Sequence, residues 1–223
     1  MLFKILNNWF FANKLSLVKN LKMFIGNSNT LNSIILNYTN GFSLDIDKYI
    51  ALYQPKWLRY RNNITGKIML AIDKDAIFIN IGTHKFSSFS YIFASVFHEM
   101  IHAYDMHFGK LLNFTIWALS TGATPDIIDY QSHFTSTFKS FKKDFEMETN
   151  IPLLTNGNNE NFDALCKKTA EDIGLLKEDD DMSNITPIPF PKDMIERYQD
   201  SKLIKFSNDG CSFSFSFGIP MPK

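Results

Sequence analysis

Residues 98–102 read His98, Glu99, Met100, Ile101, His102, an H-E-x-x-H sequence. Its neighbours Val96, Phe97, Ala103 and Tyr104 are uncharged, so the stretch reads as a helix buried among apolar groups. On a helix, four residues are a little over one turn, and both imidazoles leave the same face about 6 Å apart. Two neutral ring nitrogens so placed can grip one metal ion. Zinc suits them, because it takes imidazole nitrogen at about 2.0–2.1 Å in a tetrahedral shell. Glu99 follows the first histidine and is placed to take a proton from a metal-activated water and hand it to a leaving amine. The motif thus predicts His98 and His102 as metal ligands and Glu99 as a general base.

Around the motif, Ser87 and Ser88 offer N-caps for a long helix that runs through Tyr91, Phe93 and Val96 to about His107. Upstream, Lys67–Asp73 and Ala76–Ile81 have strand composition, and Asp73, Lys74 and Asp75 between them predict a β-hairpin. Downstream, a second helical region is expected from Thr124, with Pro125 in its first turn and Asp126 and Asp129 near its positive end. Phe134, Phe138, Phe141 and Phe145 give it a core-facing stripe, on one helix or on two broken near Gln131.

A catalytic zinc takes three protein ligands and keeps one position open. His133, in the second helical region, is the first candidate for the third ligand, with Glu146, Glu148 and Glu171 as carboxylate alternatives. His107 is nine residues from His98 and falls on the opposite helix face, and His84 follows the second strand as a surface residue. Asp105 shares the face of His98 and His102, where it either orients a ligand or faces solvent at the helix end.

The flanks read differently. Leu2, Ile5, Leu6, Trp9 and Phe10 recur at helical spacing, as do Leu15, Val18, Leu21 and Ile25, with Lys4, Lys14, Lys19 and Lys22 among the polar positions. A loop-rich stretch, Gly26–Gly41, precedes a short helix expected over Asp45–Tyr53 and ended by Pro55. Asn156–Asn161 reads as a loop and Glu178–Pro191 as an acidic, Pro-rich linker. Ser207–Gly210 (SNDG) separates Leu203–Phe206 from the alternating Cys211–Phe217 (CSFSFSF), which predicts a C-terminal hairpin.

With 223 residues, 45% of them hydrophobic and 22 of them Phe, the chain can bury an aromatic-rich core. Its net charge is zero, yet Met1–Lys67 carries nine Lys/Arg against two Asp/Glu, and Asp144–Asp200 five against fourteen. A basic N-terminal third gives weak support to nucleic-acid contact; mutual neutralisation of the two ends explains it as well. Two cysteines, Cys166 and Cys211, make neither a zinc ribbon nor a disulfide framework, so a reducing, cytoplasmic compartment is expected. Met1–Phe11 is interrupted by Lys4, Asn7 and Asn8 and does not read as a secretory signal. No stretch approaches the roughly 20 apolar residues of a membrane span.

Tyr53 to Ile151 resembles the SprT-like/Spartan protease domain. The run Trp57, Leu58, Arg59, Tyr60, Arg61 is followed by Ile64, Thr65, Gly66, then by two strands, then by Phe97 and HEMIHAYD, in that family's order. His133 with Phe138 is similar to its third-histidine segment, and Lys143–Ile151 (KDFEMETNI) to the helix end that follows. The resemblance implies a small zincin fold with a β-hairpin beside the metal helix, three histidine ligands and proteolysis; the family's eukaryotic members cut proteins crosslinked to DNA. The chain departs from the pattern in its long His102–His133 gap, in Ser132 and Phe134 where glycines usually flank the third histidine, and in Cys211 standing alone where relatives carry a zinc ribbon.

The expectation is therefore an α+β chain: a helical, basic N-terminal region (1–52), a SprT-like zincin core (53–151) and an acidic linker, helix and C-terminal hairpin (152–223). The expected function is a zinc-dependent endopeptidase with His98, His102 and His133 on the metal and Glu99 as base. An edge strand of the Lys67–Ile81 hairpin would bind the protein or peptide substrate as an added strand. The alternative is a structural or interaction protein that keeps the scaffold without turnover, docking a protein partner through the N-terminal amphipathic region or the C-terminal strand. The abundance of Asn, Lys and Ile fits an AT-rich genome such as a bacteriophage's, in which case the protein would be virion-associated.

Overall fold

The computed structural model describes residues 1–39, 44–61, 63–66, 68–82, 88–120, 123, 125–153, 204–207, 210–213 and 217–220. Residues Ala76 to Ile79 decide the layering. Ala76, Ile77, Phe78 and Ile79 are all fully buried, because Ile77 and Ile79 enter one apolar cluster and Ala76 and Phe78 another. A strand covered on both faces needs apolar residues at every position, which is why this stretch reads as a continuous run.

That strand belongs to a four-stranded sheet built from β1 (Leu21–Gly26), β2 (Tyr49–Arg61), β3 (Ile68–Asn80) and β6 (Phe217–Pro220), in the order β1-β3-β2-β6. β2 is antiparallel to β3 and to β6, and β1 is parallel to β3. One face carries α2 (Ser28–Ile35), whose Leu31 and Ile35 pack with Tyr38, Leu52 and Phe78. The other carries α3 (Phe89–Phe108), which contacts α1 (Leu2–Phe10), α4 (Leu111–Ser120), α6 (Ser136–Thr149), β2, β3 and β6. α5 (Pro125–Ser132) lies beside α4. A separate pair, β4 (Ile204–Ser207) and β5 (Gly210–Phe213), forms the antiparallel hairpin expected near SNDG, but the single strand expected over Cys211–Phe217 is not formed: Phe217 opens β6, which pairs with β2. The chain is thus α+β.

Several local expectations give way to tertiary structure. Lys67–Asp73 and Ala76–Ile81 are not two strands of a hairpin but one strand, β3, paired with β2. The positive φ of a hairpin connection falls instead on Gly66, at φ 68°, between β2 and β3. The helix expected over Asp45–Tyr53 reduces to a 3-10 turn at Ile46–Lys48, and Pro55 lies inside β2, next to a register shift at Lys56/Trp57. The helical spacing of Leu15–Ile25 is coincidental. Ala12 and Asn13 turn the chain through positive φ (46° and 60°), Lys14–Leu17 makes one 3-10 turn, and Leu21–Gly26 is a strand. Gly26–Gly41 contains α2, capped by the Asn27 side chain on Thr30 N at 3.0 Å. The second helical region is two helices, broken after Ser132, beside the Gln131 where a break is expected. The cap expected at Thr124, the loop Asn156–Asn161 and the linker Glu178–Pro191 lie outside the described residues.

The N-terminal segment is part of the principal core. Leu6, Phe11 and Leu15 are buried in the same cluster as Phe97 and Phe145. Phe10 meets Phe97 edge-on at 4.7 Å between ring centroids, and Phe11 lies 4.5 Å from Phe141. Each such buried ring contributes roughly 1.5–3 kcal/mol. Among the described residues no helix is long and apolar enough to cross a membrane.

Candidate metal centre

α3 starts where expected: the Ser88 side chain accepts from Tyr91 N at 3.3 Å. From Ala94 to Ala103 every residue is buried, so the helix is enclosed by its neighbours and its polar residues have no water to face. His98, Glu99 and His102 are within 1% of complete burial.

The third histidine arrives through the α5–α6 junction. Backbone turns from His133 N to Tyr130 O (3.2 Å) and Phe134 N to Gln131 O (3.0 Å) close α5. Thr135 then caps α6 by accepting from Phe138 N at 2.9 Å. The chain reverses between these two devices and presents His133 to α3. His98 Nε2 lies 3.0 Å from His102 Nε2 and 3.1 Å from His133 Nε2. The ligand atoms of the three residues all fall within 4.8 Å of one another, and His133 is 5% exposed.

Phe138 locks the cluster. Its ring centroid is 5.1 Å from His98, 5.2 Å from His102 and 4.8 Å from His133. On the sheet side the ring of Phe217, in β6, stacks on His102 at 5.3 Å and 29°. Aromatic walls on two sides restrict ring rotation and keep the local dielectric low.

The electrostatics favour uncharged rings. Burial, then the charges of His98 and His133, hold His102 well below the usual histidine pKa. Burial lowers His133 to about 4, against backbone hydrogen bonds to Tyr130 and Asp129 that pull it up. At neutral pH both are imidazoles with a free lone pair on one nitrogen. For His133 that nitrogen is fixed: Nδ1–H donates to Tyr130 O at 3.2 Å, which leaves Nε2 as the acceptor facing His98. His98 Nε2 lies 3.0–3.1 Å from two other Nε2 atoms, and with His133 Nε2 an acceptor it cannot serve both contacts with one proton or one lone pair. A tetrahedral ion with bonds of 2.0–2.1 Å would space them about 3.3 Å apart, a change of a few tenths of an ångström. The buried three-histidine group can hold a metal ion.

The other sequence candidates fall elsewhere. Glu146 accepts from Leu153 N at 2.8 Å and pairs with Lys142 at 3.6 Å, and Glu148 is exposed. Glu171 and His84 lie outside the described residues. His107 turns away from the cluster, and its Nε2 meets Asp75 Oδ2 at 2.7 Å. Asp105 does not face solvent. It is 1% exposed, burial raises its carboxyl pKa, and Oδ1 accepts from Lys110 N at 3.0 Å. A side chain at Gly109 would collide with that carboxylate, so glycine is needed there for the close approach.

Two features had no sequence signal. Tyr53 donates to Asp75 Oδ2 at 2.6 Å, and its pKa is raised well above 10 by burial and by the Asp75 charge. Phe217 comes to the histidines as the first residue of β6, not as the end of the strand expected over Cys211–Phe217. Compared with known proteins, the chain matches no family model, no curated protein and no solved structure.

Proposed function

We propose that the chain is a zinc-dependent endopeptidase, with His98, His102 and His133 holding the metal and Glu99 as general base. The observation that supports it most is the convergence of three buried imidazole rings, with His102 and His133 held below the usual histidine pKa by burial, one helical position from a buried carboxylic side chain. An all-nitrogen set of three suits zinc and leaves a fourth position open. Bound there, zinc would supply Lewis-acid activation of water and of the scissile carbonyl. Glu99 would hold the proton released by the attacking water and return it to the leaving amine. The Tyr130 carbonyl would keep His133 in the tautomer that offers Nε2, and Phe138 would fix all three rings and exclude bulk water. α3 packed on the antiparallel β2–β3 pair agrees with a zincin-like domain and with the SprT-like resemblance of residues 53–151.

The second reading is an interaction protein that keeps a metal-binding scaffold without turnover. The cover that Phe217 places over His102, and the full burial of Glu99, favour it. Glu99→Gln separates the two. Metal content measured by elemental analysis should remain at one zinc per chain while casein cleavage falls by about a thousandfold or more. Cleavage undiminished by the substitution removes Glu99 as the base, and a wild-type protein that carries zinc but cleaves nothing selects the second reading.

A further inference from the structure

On β3, the edge expected to receive substrate is covered by β1 along Asp75–Asn80, while β2 pairs along its other side. The outer edge of β2 is taken by β6, with Tyr53 opposite Phe217, Leu52 opposite Gly218, Ala51 opposite Ile219 and Tyr49 opposite Pro220. We propose that the Tyr49–Tyr53 edge of β2 is a binding site for an extended peptide bearing a bulky aromatic residue, and that β6 is its displaceable intramolecular occupant, held by Phe217.

The geometry around Phe217 carries the argument. Its ring is fully buried, stacked on His102 at 5.3 Å and on Tyr53 at 6.2 Å, both at 29°. The position opposite Tyr53 is therefore an aromatic subsite that touches a histidine of the metal group. β6 also runs antiparallel to β2, so its backbone bonds are those any added strand would make. It has four residues, of which Gly218 brings no side chain and Pro220 no N–H. While it stays, the three histidines and Glu99 are between 0% and 5% exposed, and a peptide backbone cannot reach them. Exchange of this strand for a peptide with an aromatic residue in the same register keeps the sheet bonds and the ring stack. The inference deepens the proposed function, but its binding arm does not depend on catalysis.

The experiment uses the full chain, its Phe217→Ala and Phe217→Leu variants, and a fluorescein-labelled peptide of residues 214–223 (SFSFGIPMPK). A control peptide has the residue equivalent to Phe217 replaced by alanine. Fluorescence anisotropy should show the labelled peptide binding the variants about tenfold or more tighter than the wild type, because the internal competitor is weakened. The control peptide should bind at least about tenfold more weakly. Hydrogen exchange of the Tyr49–Tyr53 segment should quicken in both variants and slow again when the peptide is added. Folding is checked by circular dichroism, and the leucine variant serves if the alanine variant does not fold. Variants that bind the peptide no better than wild type, or a control peptide that binds equally well, overturn the proposal. Zinc-dependent casein cleavage is read in the same samples. Tight peptide binding without cleavage in any sample keeps the edge site and removes the endopeptidase. Wild-type cleavage that neither variant raises, without peptide binding, does the reverse.

Discussion

α3 carries histidines in two settings, and they make opposite use of the same ring. At positions 98 and 102, the nitrogens face other histidine nitrogens, with no carboxylate among the groups that shift His102 or His133. At position 107, one or two turns further on, Nε2 meets the buried Asp75 oxygen, which also accepts from the Tyr53 hydroxyl. The second setting satisfies its proton within the protein and ties α3 to β2 and β3. The first sets ring nitrogens against ring nitrogens, an arrangement a cation can resolve. His107 and Asp75 also line an open cleft of about 300 Å³, whereas the cluster is enclosed. Openness to solvent is thus a poor guide to which histidines can bind a metal; the groups that face them decide.

Removing one ring from each setting should separate the two most widely. His98→Ala should weaken zinc binding by about 4 kcal/mol, on the order of a thousandfold, as read by competition with a chromogenic chelator. His107→Ala should leave zinc stoichiometry intact in that assay. Comparable losses of zinc from both variants would erase the distinction.

Acid probes the cluster, with buried Asp105, whose carboxyl pKa is raised, acting in the opposite sense. His133 titrates near 4 when folded and near 6.5 when unfolded, so the unfolded chain binds the extra proton between those values. The metal-free protein should hold this contribution in full above about pH 6.5 and lose about 3 kcal/mol as the pH falls through 4. His102, lowered in the same direction, adds to the loss. Urea unfolding of the metal-free protein across that range measures it, and a flat profile would mean the rings are hydrated. The smallest effect belongs to the tie. His107→Ala should cost about 1.5–3 kcal/mol in the same unfolding assay, the worth of one hydrogen bond to a buried carboxylate.

What could be read from the sequence was local in origin. H-E-x-x-H, the Ser88 cap and the apolar neighbours all lie within one helix, so spacing alone put His98, Glu99 and His102 on buried ground. His133 could be nominated because it falls at the start of the phenylalanine stripe, of which Phe138 became the wall of the cluster. The sheet was harder. Residues buried on both faces lose the alternation that marks a strand, and Asp73-Lys74-Asp75 has the composition of a turn although Asp75 is fully buried and bonded to Tyr53 and His107. The Leu15–Ile25 spacing fitted a helix by chance, and only the parallel partner β3 makes Leu21–Gly26 a strand. The pairing of β6 with β2 joins distant segments, and no local pattern encodes that Phe217–Pro220 will meet Tyr49–Tyr53.

That pairing also sets an order of assembly. His98 and His133 are 35 positions apart, and the two halves of the H-E-x-x-H pair only four. Tyr53 and Phe217 meet across most of the chain's length. Closing a longer loop costs more chain entropy, and contacts between distant segments tend to form late. The three imidazoles can therefore gather before the strand that covers them is in place, and an ion arriving from solution has its widest entrance during folding rather than after it.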